Sequence, residues 1–336
     1  MRIQIFTDAW HPQINGVVRT LSTTQRVLQE MGHVVEVVNP QMFTTFPCPS
    51  YSEIRLAFHP SLTVPNLIHG FHPQALHIAT EGPIGWAARS FCLRHQIPFS
   101  TAYHTQFPEY LKARTGVPRR WIYKLLRHFH QPSGNVMVPT PSIIQNLEIR
   151  GFQNLALWSR GVDTQLFKPL PERKLYADRQ DPLLLYVGRV AVEKNLTAFL
   201  NLKSAGKKVV VGDGPLRKEY QIQYPAVDFV GSKAGEELTE FYNAADVFVF
   251  PSLTDTFGLV MLEALACGVP VAASPVPGPQ DVILSDEVGA LDTDLGTAVQ
   301  RALRLSRSQC RNYALGFSWK KAANQFLNHL QPIHNF

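Results

Sequence analysis

Nothing limits the fold of this chain more than the regular return of short, unbroken apolar runs. RIQIF (2–6), HVVEVVN (33–39), ALHIAT (75–80), PFSTAY (98–103) and NVMVPT (135–140) punctuate the first half. LLLYVG (183–188), KVVVGDG (208–214), VDFVG (227–231), DVFVFP (246–251) and VPVAAS (269–274) punctuate the second. Runs of this length, bounded by Gly, Pro and polar clusters, read as buried strands. Between them lie helical patterns. VVRTLSTTQRVLQEMG (17–32) ends on a capping glycine, and further helices are expected near 83–96, 118–131, 141–150 and 235–244. Strand and helix in alternation make parallel sheets covered on both faces. The alternation stops at WSRGVDTQLFKPLPERKLYADRQDP (158–182), where periodicity is lost and Pro and charge collect, and then restarts.

The expected organisation is therefore α/β, with two doubly wound, Rossmann-like domains. The first covers 1–160, a linker covers 161–182, and the second domain covers 183–315. FSWKKAANQFLNHLQ gives a final helix within 316–336, expected to cross back to the first domain. A length of 336 residues accommodates this, and 45% hydrophobic residues supply two cores. MRIQIFTDAW has one Arg and too short an apolar run for a signal peptide. No stretch approaches the roughly 20 apolar residues of a membrane span. Cys48, Cys92, Cys267 and Cys310 lie far apart without CxxC spacing, which reads as reduced thiols of a cytoplasmic protein.

Charge is unequally shared. Residues 1–170 carry 15 Lys/Arg against 8 Asp/Glu, and residues 171–336 carry 17 against 18. A basic half beside a near-neutral half suggests an anionic partner on one side only. The segment 110–130, YLKARTGVPRRWIYKLLRHFH, has six Lys/Arg and no acid, interleaved with Tyr110, Leu111, Trp121, Ile122, Tyr123, Leu125, Leu126 and Phe129. Its plain reading is a core helix with a basic rim. Its functional reading is a helix on an anionic membrane surface, held by Arg119, Arg120, Trp121 and Lys124.

Ligands of doubly wound sheets bind at the carboxyl ends of the strands. Gly188, Arg189 and Lys194 follow one strand, and two cations there fit a phosphate better than an ordinary solvated loop. Gly16 opens the first helix, whose N–H groups can face an anion. Neither a GxGxxG fingerprint nor a Walker A loop is present, which argues against an ordinary NAD enzyme or NTPase. DTD at 292–294 imitates a metal motif but reads as a solvated turn, and no metal and no cofactor are expected.

The stretch TDTFGLVMLEALACGVPV (254–271) poses the sharpest problem. Glu263 stands in an apolar helix with Leu259, Val260, Ala266 and Cys267 at the positions that could hold a basic partner. A buried carboxylate is costly unless something donates hydrogen bonds to it. Either another part of the fold or a ligand has to do so.

Taken together, SRGVD, the Gly-Arg segment followed by Glu-Lys-Asn, VGDGP, ADVFVFPS and the acids Asp255 and Glu263, separated by seven residues, give the chain its resemblance to the retaining glycosyltransferases of family 4. The resemblance implies the GT-B fold, two Rossmann-like domains facing across a cleft. It implies a nucleotide-sugar donor, with Glu263 accepting from the ribose hydroxyls and Asp255 holding the transferred hexose. Asp255 replaces the usual Glu, one methylene shorter with the same charge. Thr256, Phe257, Gly258 and Leu259 would meet sugar and phosphate oxygens at the helix N-terminus, and His104 would face the transferred sugar. Glu81, also after a strand, is a weaker candidate for the same cleft. Arg189 and Lys194 would stabilise the leaving diphosphate in place of a metal. The expected reaction is retaining hexosyl transfer to a hydroxyl, from a UDP-sugar ahead of GDP-mannose. The expected acceptor is a membrane lipid such as diacylglycerol, ahead of a soluble or polysaccharide glycan. A peripheral place on the inner face of the cytoplasmic membrane follows, with no nucleic acid partner. A nucleotide-sugar epimerase and a non-catalytic nucleotide-sugar or nucleic-acid binder are the competing readings.

Overall fold

The computed structural model describes residues 1–13, 15–48, 51–106, 117–172, 174–203 and 206–334, with the backbone alone at 51–53. It divides into two compact units, one of Met1–Ser159 with Trp319–Phe336 and one of Arg160–Ser318.

The first unit holds the strands β1 (Arg2–Phe6), β2 (Val34–Val38), β5 (Ala75–Ile78), β6 (Ser100–Ala102), β7 (Val136–Val138) and β8 (Leu155–Leu157), with a hairpin of β3 (Thr45–Cys48) and β4 (Tyr51–Ala57) beside them. The six-stranded sheet runs β2-β1-β5-β6-β7-β8, and every pairing is parallel. All four residues of β5 are buried, as a strand covered by helices on both faces must be. Alternate side chains feed two cores. Ile3 and Ile5 pack with Leu21, Trp158 and Phe326 on one side, and Phe6 and Ile78 pack with Ile84, Phe91 and Phe129 on the other. Phe326 belongs to the helix Trp319–His329, so the C-terminal helix is part of this unit. It is pinned there by Gln325, which accepts from the Ser159 N–H at 2.9 Å, and by the His329 carbonyl, which accepts from Asn135 at 2.9 Å.

The second unit repeats the plan with β9 (Leu183–Val187), β10 (Lys207–Val211), β11 (Asp228–Gly231), β12 (Val247–Phe250), β13 (Val271–Ala273) and β14 (Gly289–Leu291). Its six strands run β11-β10-β9-β12-β13-β14, again all parallel. Leu183, Leu185 and Val187 face the helix Leu259–Ala266, while Leu184 and Tyr186 face Phe199 and Leu200.

The segment expected as a linker has no regular element among its described residues, yet it is packed on the second unit. Phe167 is buried beside Tyr242, and Asn243 both donates to the Lys168 carbonyl and accepts from the Leu170 N–H. Arg311 donates to the carbonyls of Thr164 and Phe167. Backbone without secondary structure still needs hydrogen-bond partners, and here side chains of the second unit provide them.

Candidate active site

In the second unit β9 comes first in the chain and sits mid-sheet. The chain builds outward to β10 and β11, then returns to β12 on the other side of β9. The carboxyl ends of β9 and β12 therefore flank a topological switch point, where such sheets bind ligands.

Three loops meet there. The loop after β9 carries Gly188, Arg189 and Lys194, and the loop after β12 carries Asp255 to Gly258. Asn195 donates to the Pro251 carbonyl at 3.0 Å, and Thr254 donates to the Glu193 carbonyl at 3.4 Å. The Tyr186 hydroxyl donates to the Arg189 carbonyl at 2.8 Å, and burial lifts its pKa well above the ordinary phenol value. The loop after β10 closes on the same place, with the Val190 N–H donating to the Asp213 carbonyl at 2.9 Å. A Cβ on Gly212 would stand 1.9 Å from the Gly188 carbonyl oxygen, so only glycine permits this approach.

Between the first two loops, Lys194 Nζ lies 2.5 Å from Asp255 Oδ1. One of the site's two cations and its first acid hold each other. An ammonium has three donors and a carboxylate two acceptor oxygens, so each can engage several groups. Arg189 and Thr256 are half-buried in the same loops, and Phe257 is buried beneath them.

The helix Leu259–Ala266 begins at Gly258, whose φ of +84° is left-handed. A Cβ there would come within 2.9 Å of the Phe250 ring. No side chain among the described residues caps this helix, so its first N–H groups and the positive end of its dipole suit sugar or phosphate oxygens. One turn further in, Glu263 is only 3% exposed. One internal partner comes from another helix, Gly235–Ala244, where the fully buried Tyr242 donates its hydroxyl to Glu263 Oε2 at 2.8 Å. The sequence carried no sign of this bond, because it joins side chains 21 residues apart on two elements.

The first unit has its own switch point, between β1 and β5. Asp8 lies there, 7% exposed, and sequence reasoning missed it. It accepts from the Thr80 hydroxyl at 2.8 Å and from the Ile84 N–H at 2.9 Å, tying β1 to the start of the helix Pro83–Arg94. Burial outweighs these bonds and raises its pKa to about 6. Glu81 meets the buried His130 at 3.2 Å. His104, just past β6, packs edge-on against Trp158 with ring centroids 5.5 Å apart.

Gly16 opens the first helix of its unit, after β1. The helix Gly16–Glu30 is capped by Asn15, whose side-chain oxygen accepts from the Val17 and Val18 N–H groups at 3.0 Å each. Those two groups are engaged within the chain rather than presented to an anion. DTD is likewise a cap: Asp294 accepts from the Thr297 N–H at 2.9 Å, which with the Thr297 hydroxyl lowers its pKa. Among the described residues no group of three or more His, Cys, Asp or Glu is placed to hold a metal ion.

The basic segment is described from residue 117 onward, and 110–116, with Tyr110 and Leu111, lies outside the described residues. Its helix, Arg119–His130, has two apolar stripes. Ile122, Leu126 and Phe129 are buried, whereas Trp121 and Leu125 are more than half exposed. Arg120 and Lys124 each lie 5.6 Å from the Trp121 ring centroid, and Arg119 and Arg127 are also exposed. Arg89 fixes the far end by donating to the His128 and Phe129 carbonyls at 2.8 and 2.9 Å.

Two family models match the chain. The model for glycosyltransferase family 4 matches residues 14–166, and that for glycosyl transferases group 1 matches residues 181–307. The chain belongs to glycosyltransferase family 4. It is similar to a GDP-mannose-dependent alpha-mannosyltransferase of Mycobacterium tuberculosis, 28% identical over 99% of this chain and 97% of that protein. It is also similar to an alpha-monoglucosyldiacylglycerol synthase of Streptococcus pneumoniae, 27% identical over 90% of this chain and 78% of that protein. Sucrose-phosphate synthase from Thermosynechococcus elongatus shares the fold with a TM-score of 0.77 at 22% identity, covering 97% of each chain. The fold is GT-B, and the protein is a glycosyltransferase.

Proposed function

We propose that the protein moves a hexosyl group from a nucleoside diphosphate hexose to a hydroxyl of a membrane lipid, with retention at the anomeric carbon and without a metal. The observation that carries this reading is the Lys194–Asp255 pair beside an uncapped helix N-terminus, one turn ahead of buried Glu263. Glu263 takes the ribose hydroxyls, since a diol offers the donors that a buried carboxylate needs. Asp255 holds hydroxyls of the hexose. Lys194, Arg189 and the helix N-terminus face the diphosphate, whose negative charge grows as the bond from the anomeric carbon to phosphate oxygen breaks. The acceptor oxygen bonds to the same face of that carbon. Its proton passes to the departing phosphate, so no protein nucleophile is needed. His104 is assigned to the transferred sugar.

The relative named for GDP-mannose aligns over almost the whole chain, which moves GDP-mannose ahead of the UDP-sugar favoured by sequence. The relative named for a diacylglycerol product supports a lipid acceptor, as does the exposed Trp121 and Leu125 stripe among cations. The direct test is incubation with GDP-mannose or UDP-glucose and diacylglycerol vesicles, followed by mass spectrometry of the lipids. Donor hydrolysis without any glycosylated lipid would point to a soluble glycan acceptor. Failure of both donors to react or bind would sink the proposal.

A further inference from the structure

We propose that Tyr242 is a positioning residue for the donor. It holds the Glu263 carboxylate at the angle that receives the ribose diol, and so sets nucleotide affinity without touching the nucleotide. The inference rests on the ribose assignment of Glu263 made above.

Three observations support it. The Tyr242 hydroxyl is 2.8 Å from Glu263 Oε2, and both side chains are buried, at 0% and 3% exposure. A glutamate has three side-chain torsions, and its terminal one is broad and soft, so hydrogen bonds rather than packing set the carboxylate plane. A hydroxyl donor on one oxygen fixes that plane and with it the direction of the other oxygen's lone pairs. Tyr242 is itself held on both sides, with ring centroids 5.8 Å from Phe167 and 5.9 Å from Phe248. Its neighbour Asn243 locks the end of the helix to the Lys168 carbonyl and the Leu170 N–H. The donor to Glu263 is thus presented by a rigid element, which is what a positioning group requires.

Tyr242→Phe keeps the ring and removes only the hydroxyl. The probe is whichever of GDP and UDP the wild type binds more tightly, with its 2′,3′-dideoxy analogue, both measured by calorimetry. The variant should bind the intact nucleotide roughly tenfold more weakly. Its affinity for the dideoxy analogue should stay within about twofold of wild type, because that ligand has no diol for Glu263 to receive. In a Glu263→Gln background, adding Tyr242→Phe should have little effect on nucleotide affinity, since coupled residues are non-additive. Circular dichroism confirms that each variant is folded. If Tyr242→Phe leaves intact-nucleotide affinity unchanged, or weakens both ligands equally, the positioning role is overturned. If wild type itself does not distinguish nucleotide from dideoxy analogue, the ribose assignment fails, and this inference falls with it.

Discussion

Glu263→Gln separates a ligand-binding carboxylate from a structural one. The substitution keeps the volume and leaves a carbonyl oxygen able to accept from the Tyr242 hydroxyl, now 2.8 Å from Oε2. The internal bond can survive, so folding stability should fall by no more than about 1 kcal/mol. The ligand side behaves differently. The amide nitrogen presents hydrogens where ribose hydroxyls also present theirs, and the negative charge is gone. Losing a hydrogen bond to a charged group costs about 1.5–3 kcal/mol, or roughly 10- to 150-fold in Kd. Calorimetric titration with GDP and UDP measures the second quantity, and urea unfolding measures the first. Unchanged nucleotide affinity would refute the ribose role. A large stability loss with unchanged affinity would make Glu263 purely a core residue.

Arg189→Ala and Lys194→Ala should each lower kcat by roughly 100-fold, because they act on charge that grows in the transition state. The Lys194–Asp255 pair is partly exposed, at 23% and 17%, so its loss should cost only about 1 kcal/mol of stability. Vesicle flotation should show binding that needs anionic lipid, weakens with salt and falls in an Arg119→Glu/Arg120→Glu/Lys124→Glu variant; wild type that ignores anionic vesicles at low salt contradicts the membrane role of the Arg119–His130 helix. Asp8 gives a pH test. Its folded pKa of about 6 lies above the ordinary aspartate value of 3.8, so the folded state binds the extra proton between these limits. Stability from this group is full below about pH 3.8 and is lost as pH rises through about 6, by about 3 kcal/mol. Asp8→Asn should remove that part of the slope in urea-unfolding curves; parallel curves for variant and wild type would contradict it.

The sheets were legible because their strands are buried on both faces and appear as unbroken apolar runs, as in LLLYV at β9. The elements that escaped notice lack that signature. β8 and β14 are three-residue edge strands, the β3–β4 hairpin contains Pro47, and the helix Pro60–Phe71 has Pro65 inside it. In the site, Lys194, Asp255 and Glu263 could be named from sequence because motif spacing carries them. Their partners could not. The Lys194–Asp255 bond spans 61 residues, and the Tyr242–Glu263 bond spans 21. Such pairings are fixed by strand order, which places β9 beside β12, and not by any local pattern. The Asn15 cap of the helix Gly16–Glu30 likewise went unread, because its acceptor is a side chain just before the helix.

The central claim is retaining, metal-free hexosyl transfer. It is tested most directly by the anomeric configuration of the product made from GDP-mannose or UDP-glucose in excess EDTA, read by NMR of the purified glycolipid. Both donors carry the hexose in the α configuration. The account predicts an α-linked product with release of one nucleoside diphosphate per transfer, at a rate that EDTA does not change. A β-linked product, or transfer that stops until a divalent cation is restored, would contradict it.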